Sequence, residues 1–153
     1  MKKLAPRPYL LFVMVLPLLS CADDNVRTDG PAPTMHDVKV RYTGAKLSGL
    51  GAYVNAGCNK EDGSGTATNM NSDIADASVQ GTIRSYKVPT SKDYYVTLAF
   101  KQVKAGTRAP RGAYLKADIL VDDVLRKSIQ IDNTTAPGAQ YVLDQATVQH
   151  DEW

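Results

Sequence analysis

The chain is poor in the residues from which most enzyme and metal sites are built. Its 153 residues include only two histidines and two cysteines. His36 and His150 lie far apart in sequence, and neither stands at metal-ligand spacing from the other or from a cysteine. Two cysteines exclude a disulfide-dense scaffold. The nucleophile elbow G-x-S-x-G and the phosphate-cradling P-loop are both missing. Glutamate is scarce as well, two against fourteen aspartates. Aspartate competes for nearby backbone hydrogen bonds and favours turns, so long helices are not expected. No apolar run approaches the roughly 20 residues a helix needs to cross a bilayer. A formal charge of +2 leaves no basic footprint for nucleic acid, and the length suits one domain. These absences set the expectations: no catalytic residue, no cofactor, no resident metal and no nucleic-acid partner.

What is present begins with an address. Lys2, Lys3 and Arg7 precede an eleven-residue apolar run, Tyr9–Leu19, broken only by Pro17. A basic start before an apolar stretch of this length describes a secretory signal peptide. The stretch ends in Leu18-Leu19-Ser20-Cys21, which resembles the lipobox of bacterial lipoproteins. That resemblance covers residues 1–21. It implies removal of residues 1–20 and acylation of Cys21, whose thiol is the strongest common side-chain nucleophile. Buried acyl chains contribute about 0.8 kcal/mol per CH₂, so more than one chain anchors the protein stably in a membrane. In that family an alanine directly after the cysteine, here Ala22, implies sorting to the outer membrane; the periplasmic and surface faces both stay open. Loss of the leader leaves fifteen basic residues against sixteen acidic ones.

Residues 21–36 read as the lipidated cysteine and a flexible tether, rich in Pro, Gly and Asp. Such a chain reaches roughly 20 Å and is expected to hold the domain clear of the bilayer. From residue 37 to 153 the hydrophobic period is two. Val38, Val40 and Tyr42 alternate with polar residues, and Tyr94, Val96, Leu98 and Phe100 form the strongest core strand. Leu47–Ala56 is a weaker strand, interrupted by Gly49 and Gly51. Ser78–Val88 switches face and suggests a bulge near Tyr86, and Tyr141–Val148 is the last strand. Ala113–Ile131 reads as a hairpin with a three-residue loop, Val121-Asp122-Asp123, opposing Ile119 to Leu125 and Asp118 to Arg126. A short helix is expected at Asp73–Gln80, capped by Ser72. Together these elements predict an all-β fold, a small antiparallel immunoglobulin-like β-sandwich of about six to eight strands.

Tyr86-Lys87-Val88-Pro89, Tyr94–Phe100 and Asp118–Leu125 occur in an order similar to that of small immunoglobulin-like lipoprotein domains of the MmpS-like transport-accessory type. The resemblance implies that same fold. The polar segment Gly57–Asp76 reads as a long loop. Within it Asn69, Asn71 and Asp73 recur every second residue, with Asp76 beyond, and are weak candidates for a Ca²⁺ site. Tyr95 and Tyr114 point away from the apolar positions of their strands and are candidate partner-binding residues. Cys58, left alone once Cys21 is acylated, is expected to be a small buried residue without a disulfide. The functional expectation is a non-catalytic envelope lipoprotein whose sandwich binds a protein or glycan. The alternative is a structural or transport-accessory component with no ligand of its own.

Overall fold

The computed structural model describes residues 34–59 and 66–153. The expected signal peptide, the expected lipidation site Cys21 and the expected tether up to residue 33 lie outside the described residues. Among the described residues the chain forms eight strands: β1 (Met35–Ala45), β2 (Ala52–Asn59), β3 (Thr66–Ile74), β4 (Ser78–Pro89), β5 (Tyr94–Phe100), β6 (Tyr114–Val121), β7 (Val124–Asp132) and β8 (Val142–Val148). They make two four-stranded antiparallel sheets, β4-β1-β6-β7 and β3-β2-β5-β8. The expected β-sandwich is what folds. Chain neighbours β1 and β2 lie in opposite sheets, as do β4 and β5, while β1 pairs with β4 and β2 with β5. Strands B, C, E and F of an immunoglobulin sandwich cross in this way.

Period-two alternation puts one side of each strand into the space between the sheets. Val38, Val40, Val54, Val96, Leu98, Phe100, Leu115, Ile119 and Ile131 are completely buried there. Leu47, Leu50, Val103 and Ala109, from the connections at one end, join the same core. Tyr94 is buried with its ring tilted against Tyr86 at 6.0 Å, and its hydroxyl has no hydrogen-bond partner among the described residues. Burial pushes that phenol far above its ordinary pKa range.

Several local expectations are corrected. No helix forms at Asp73–Gln80: β3 runs through Ile74, a bend follows at residues 76–77, and β4 starts at Ser78. Ile74 is paired with Ala52 on β2 and packs against the core from the strand. Gly57–Asp76 is likewise largely a β2–β3 hairpin with a bulge beside Gly57, not a long loop. The face switch in β4 is real but lies earlier than expected, at Gly81 (φ +63°), where the β1–β4 register slips between Tyr42↔Thr82 and Gly44↔Val79. Glycine adopts this left-handed conformation without the Cβ clash other residues meet.

The β6–β7 hairpin has a two-residue turn, Asp122-Asp123, with Val121 opposite Val124. Both aspartates have positive φ, 49° and 67°, the pattern of a type I′ turn. Parity is restored one step later by a bulge at Arg126, so that Ile119 faces Lys127, Ala117 faces Ile129 and Asp118 faces Ser128. The odd residue needed to keep Ile119, Ile129 and Ile131 on one face therefore sits in the strand and not in the loop. Finally, β1 begins at Met35, so His36 is a strand residue paired with Val88 and not part of the tether.

Candidate functional site

The two outer faces of the sandwich differ in chemistry. On the β4-β1-β6-β7 sheet the outward positions carry charge in pairs. Asp118 on β6 is the centre of this network and is only 5% exposed. Arg41 on β1 donates to its carboxylate at 2.8 Å, Ser128 on β7 donates at 2.8 Å, and the Lys116 ammonium lies 3.1 Å away. Burial pushes the Asp118 pKa up, but the three donors outweigh it and the net shift is downward. Lys39 pairs with Asp123 at 2.6 Å, and Lys87 with Asp37 at 3.7 Å. Each carboxylate of this network meets at least one cation.

The middle of the outer face of the β3-β2-β5-β8 sheet is built from amides, hydroxyls and tyrosines, with Lys101, Asp73 and an exposed Leu143 toward one end. Because Ala52, Val54 and Ala56 point into the core, Tyr53 and Asn55 point out. By the same alternation β5 turns Tyr95, Thr97 and Ala99 outward. Cross-strand register then aligns Asn71 (β3), Asn55 (β2), Thr97 (β5) and Gln145 (β8) in one row across all four strands. Thr97 Oγ1 donates to Gln145 Oε1 at 3.0 Å, Gln145 Nε2 reaches Thr147 Oγ1 at 3.4 Å, and Asn55 Nδ2 donates to the Met70 carbonyl at 3.2 Å. Each carboxamide carries both donors and acceptors, so these bonds leave capacity for a ligand.

The tyrosines flank that row. Tyr53 pairs across the sheet with Ala99 and Tyr95 with Gly57, four residues apart, about 13 Å at the rise of a strand. Ala99 and Gly57 are buried although they face outward, and the aromatic rings are their cross-strand neighbours. Lys101 closes the Tyr53 end: its ammonium lies 4.0 Å from the ring centroid and is ion-paired with Asp73. A cation over an aromatic face is attracted by the ring quadrupole.

The candidates read from sequence are thus dispersed. Tyr95 lies on this face, but Tyr114 sits on β6 in the other sheet, beside a cleft of about 260 Å³ with Gln130 and Asp132. The two tyrosines do not form one aromatic surface. Of the weak calcium candidates, Asn71 and Asp73 share the outer side of β3, Asp73 is taken by Lys101, and Asp76 lies in the bend beyond. The Asn69 side chain lies outside the described residues. No three His, Cys, Asp or Glu side chains group as metal ligands among the described residues. Cys58 is a free thiol, half-buried against the core on β2. Tyr53, Asn55 and Gln145 were missed in sequence, although Ala52-Tyr53-Val54-Asn55-Ala56 alternates cleanly once Gly49 and Gly51 are set aside.

No protein-family model matches the chain, and no curated protein matches it significantly.

Proposed function

We propose that this chain is a lipoprotein of the bacterial cell envelope, anchored in the outer membrane through Cys21, and that it binds a glycan without catalysing a reaction. The observation that carries the binding assignment is the uncharged row Asn71-Asn55-Thr97-Gln145 flanked by Tyr53 and Tyr95. A sugar presents hydroxyls that donate and accept together, which carboxamides match in kind. Its C–H faces are apolar and lie well on the negative face of an aromatic ring. A protein partner favours a central apolar patch with arginine; among the described residues the middle of this face is the amide and hydroxyl row, and its exposed Leu143 lies toward one end, opposite Ala99. The anchor is supported by Leu18-Leu19-Ser20-Cys21 placed directly after the apolar run.

Two measurements test the two halves. Cells fed an alkyne-tagged fatty acid incorporate it into the wild-type chain and not into C21S, which leaves the membrane fraction. In native gels containing laminarin, xylan or galactomannan, the wild-type domain is retarded by at least one of them. Y95A and the double variant N55A/Q145A lose the retardation, whereas Y114A, on the opposite face, keeps it. Unretarded migration through all three polysaccharides overturns the glycan assignment.

A further inference from the structure

The two sides of the sandwich close differently. On one side the edge strands β7 and β8 pack against each other from sheet to sheet. On the other side stand β3 and β4, and between them lies a cleft of about 380 Å³, lined by Met70, Asn71 and Ser72 from β3 and by Arg84 and Tyr86 from β4. Ligand pockets commonly measure roughly 300–1,000 Å³.

Register shows why this side stays open. Arg84 and Tyr86 pair with Val40 and Val38, which are completely buried between the sheets, so all four side chains leave the sheet on its inner side. The inward positions of β4 therefore read Val88, Tyr86 and Arg84, and they pass from buried through half-buried to exposed. Across the gap, Met70 and Ser72 pair with the inward Ala56 and Val54. Ser72 is too short to fill the space. Arginine and serine thus stand where a closed sandwich carries apolar side chains. Burial raises the pKa of the Tyr86 phenol and the nearby Arg84 charge opposes the rise, so this hydroxyl stays neutral.

The planar fork of arginine matches a carboxylate, and neither edge strand supplies one. β4 contains no acidic residue. The single carboxylate of β3, Asp73, is opposite the outward Tyr53 and ion-paired with Lys101. Among the described residues no ion pair includes Arg84. An inward charge also keeps an edge strand from pairing with another chain, but lysine does that equally well.

Asn71 connects this cleft to the outer face. It lines the cleft and is also the β3 end of the row Asn71-Asn55-Thr97-Gln145. A sugar chain lying along that row and crossing the β3 edge meets Arg84 next. We propose that the bound glycan is acidic, and that one of its carboxylates enters the β3–β4 cleft and is held by the Arg84 fork, with Ser72 and Asn71 meeting the neighbouring hydroxyls. The proposal rests on the glycan reading of the amide row and names the class of sugar, a uronate.

Pentagalacturonate and its methyl ester share a backbone and differ in charge at the carboxyl, so titration calorimetry of the full chain in detergent isolates that group. A hydrogen-bonded charge at an exposed site is expected to favour the acid about tenfold over the ester. R84Q binds both forms alike, at the wild-type affinity for the ester. R84K keeps the edge charged without the fork, and its preference falls between the two. K104Q, which removes an exposed cation elsewhere, keeps the full preference. Equal binding of acid and ester by wild type overturns the acidic inference alone, as does a preference that survives R84Q or that K104Q abolishes equally. Failure to bind either oligomer while laminarin, xylan or galactomannan still retards the chain has the same consequence. A chain that binds neither oligomer and none of those polysaccharides overturns the glycan reading and this inference with it.

Discussion

Replacing Asp118 with asparagine tests whether the charged outer face stabilises the fold or merely decorates it. The carboxylate is 5% exposed and accepts from Arg41 and Ser128 at 2.8 Å each, with Lys116 at 3.1 Å. A hydrogen bond to a charged group contributes about 1.5–3 kcal/mol net. Arg41 and Lys116 are 47% and 40% exposed, so both rehydrate when the carboxylate is gone. The loss for D118N is accordingly expected at about 1–3 kcal/mol, or on the order of 4–12 °C in Tm for a domain of this size. The opposing effect is desolvation: a buried charge replaced by a neutral isostere is sometimes stabilising. The downward pKa decides between them, because it means that the folded state favours the ionised form. A folded pKa below the unfolded one gives stability that is present above the unfolded value and lost as pH falls through the folded value. Urea denaturation should therefore separate wild type from D118N at pH 7 and bring them together as the pH falls below the ordinary aspartate range. An equal loss at both pH values, or none at pH 7, would refute the argument.

Three further outcomes are expected. D123G should stabilise the domain by about 0.5–1 kcal/mol in denaturant midpoint, because Asp123 occupies φ 67° and glycine removes that strain while a weak exposed pair with Lys39 is lost. G44A should cost about 1–3 kcal/mol, since a Cβ there lies 2.9 Å from both the Tyr114 carbonyl oxygen and Leu47 Cδ1, and the backbone oxygen cannot yield; thermal unfolding measures it. L98A should cost about 2–5 kcal/mol, because Leu98 is completely buried in the middle of β5; a loss below 1 kcal/mol would mean that the sheets close over the gap.

The architecture was legible where both faces of a strand had opposite needs. Val38-Val40-Tyr42 and Tyr94-Val96-Leu98-Phe100 are buried on one side only, so alternation revealed them and their inward sets are correct. The errors fall where one residue breaks that rhythm. Gly81 and Arg126 each add a residue to one strand of a pair, and a sequence shows that parity changes without showing where. The β2–β3 hairpin escaped because its sequence is rich in Asn, Asp, Thr and Gly, a composition that resembles a loop when read without its partner strand. That same composition hid the candidate site. Asn55, Asn71, Thr97 and Gln145 are scattered along the chain between positions 55 and 145, and only the sheet register brings them into one row.

The placement of β1 has a mechanical consequence. It lies between β4 and β6 and is bonded to both along nearly its whole length. Any pull transmitted through the residues before Thr34 enters β1 along its axis, whereas the antiparallel bonds run perpendicular to that axis. The force must then shear two ladders at once and cannot unzip one bond at a time. A domain hung from β7 or β8, each bonded on one side only, would peel from the edge. With the anchor proposed at Cys21, this domain would hang from the centre of a sheet and resist extraction in the direction in which that attachment pulls.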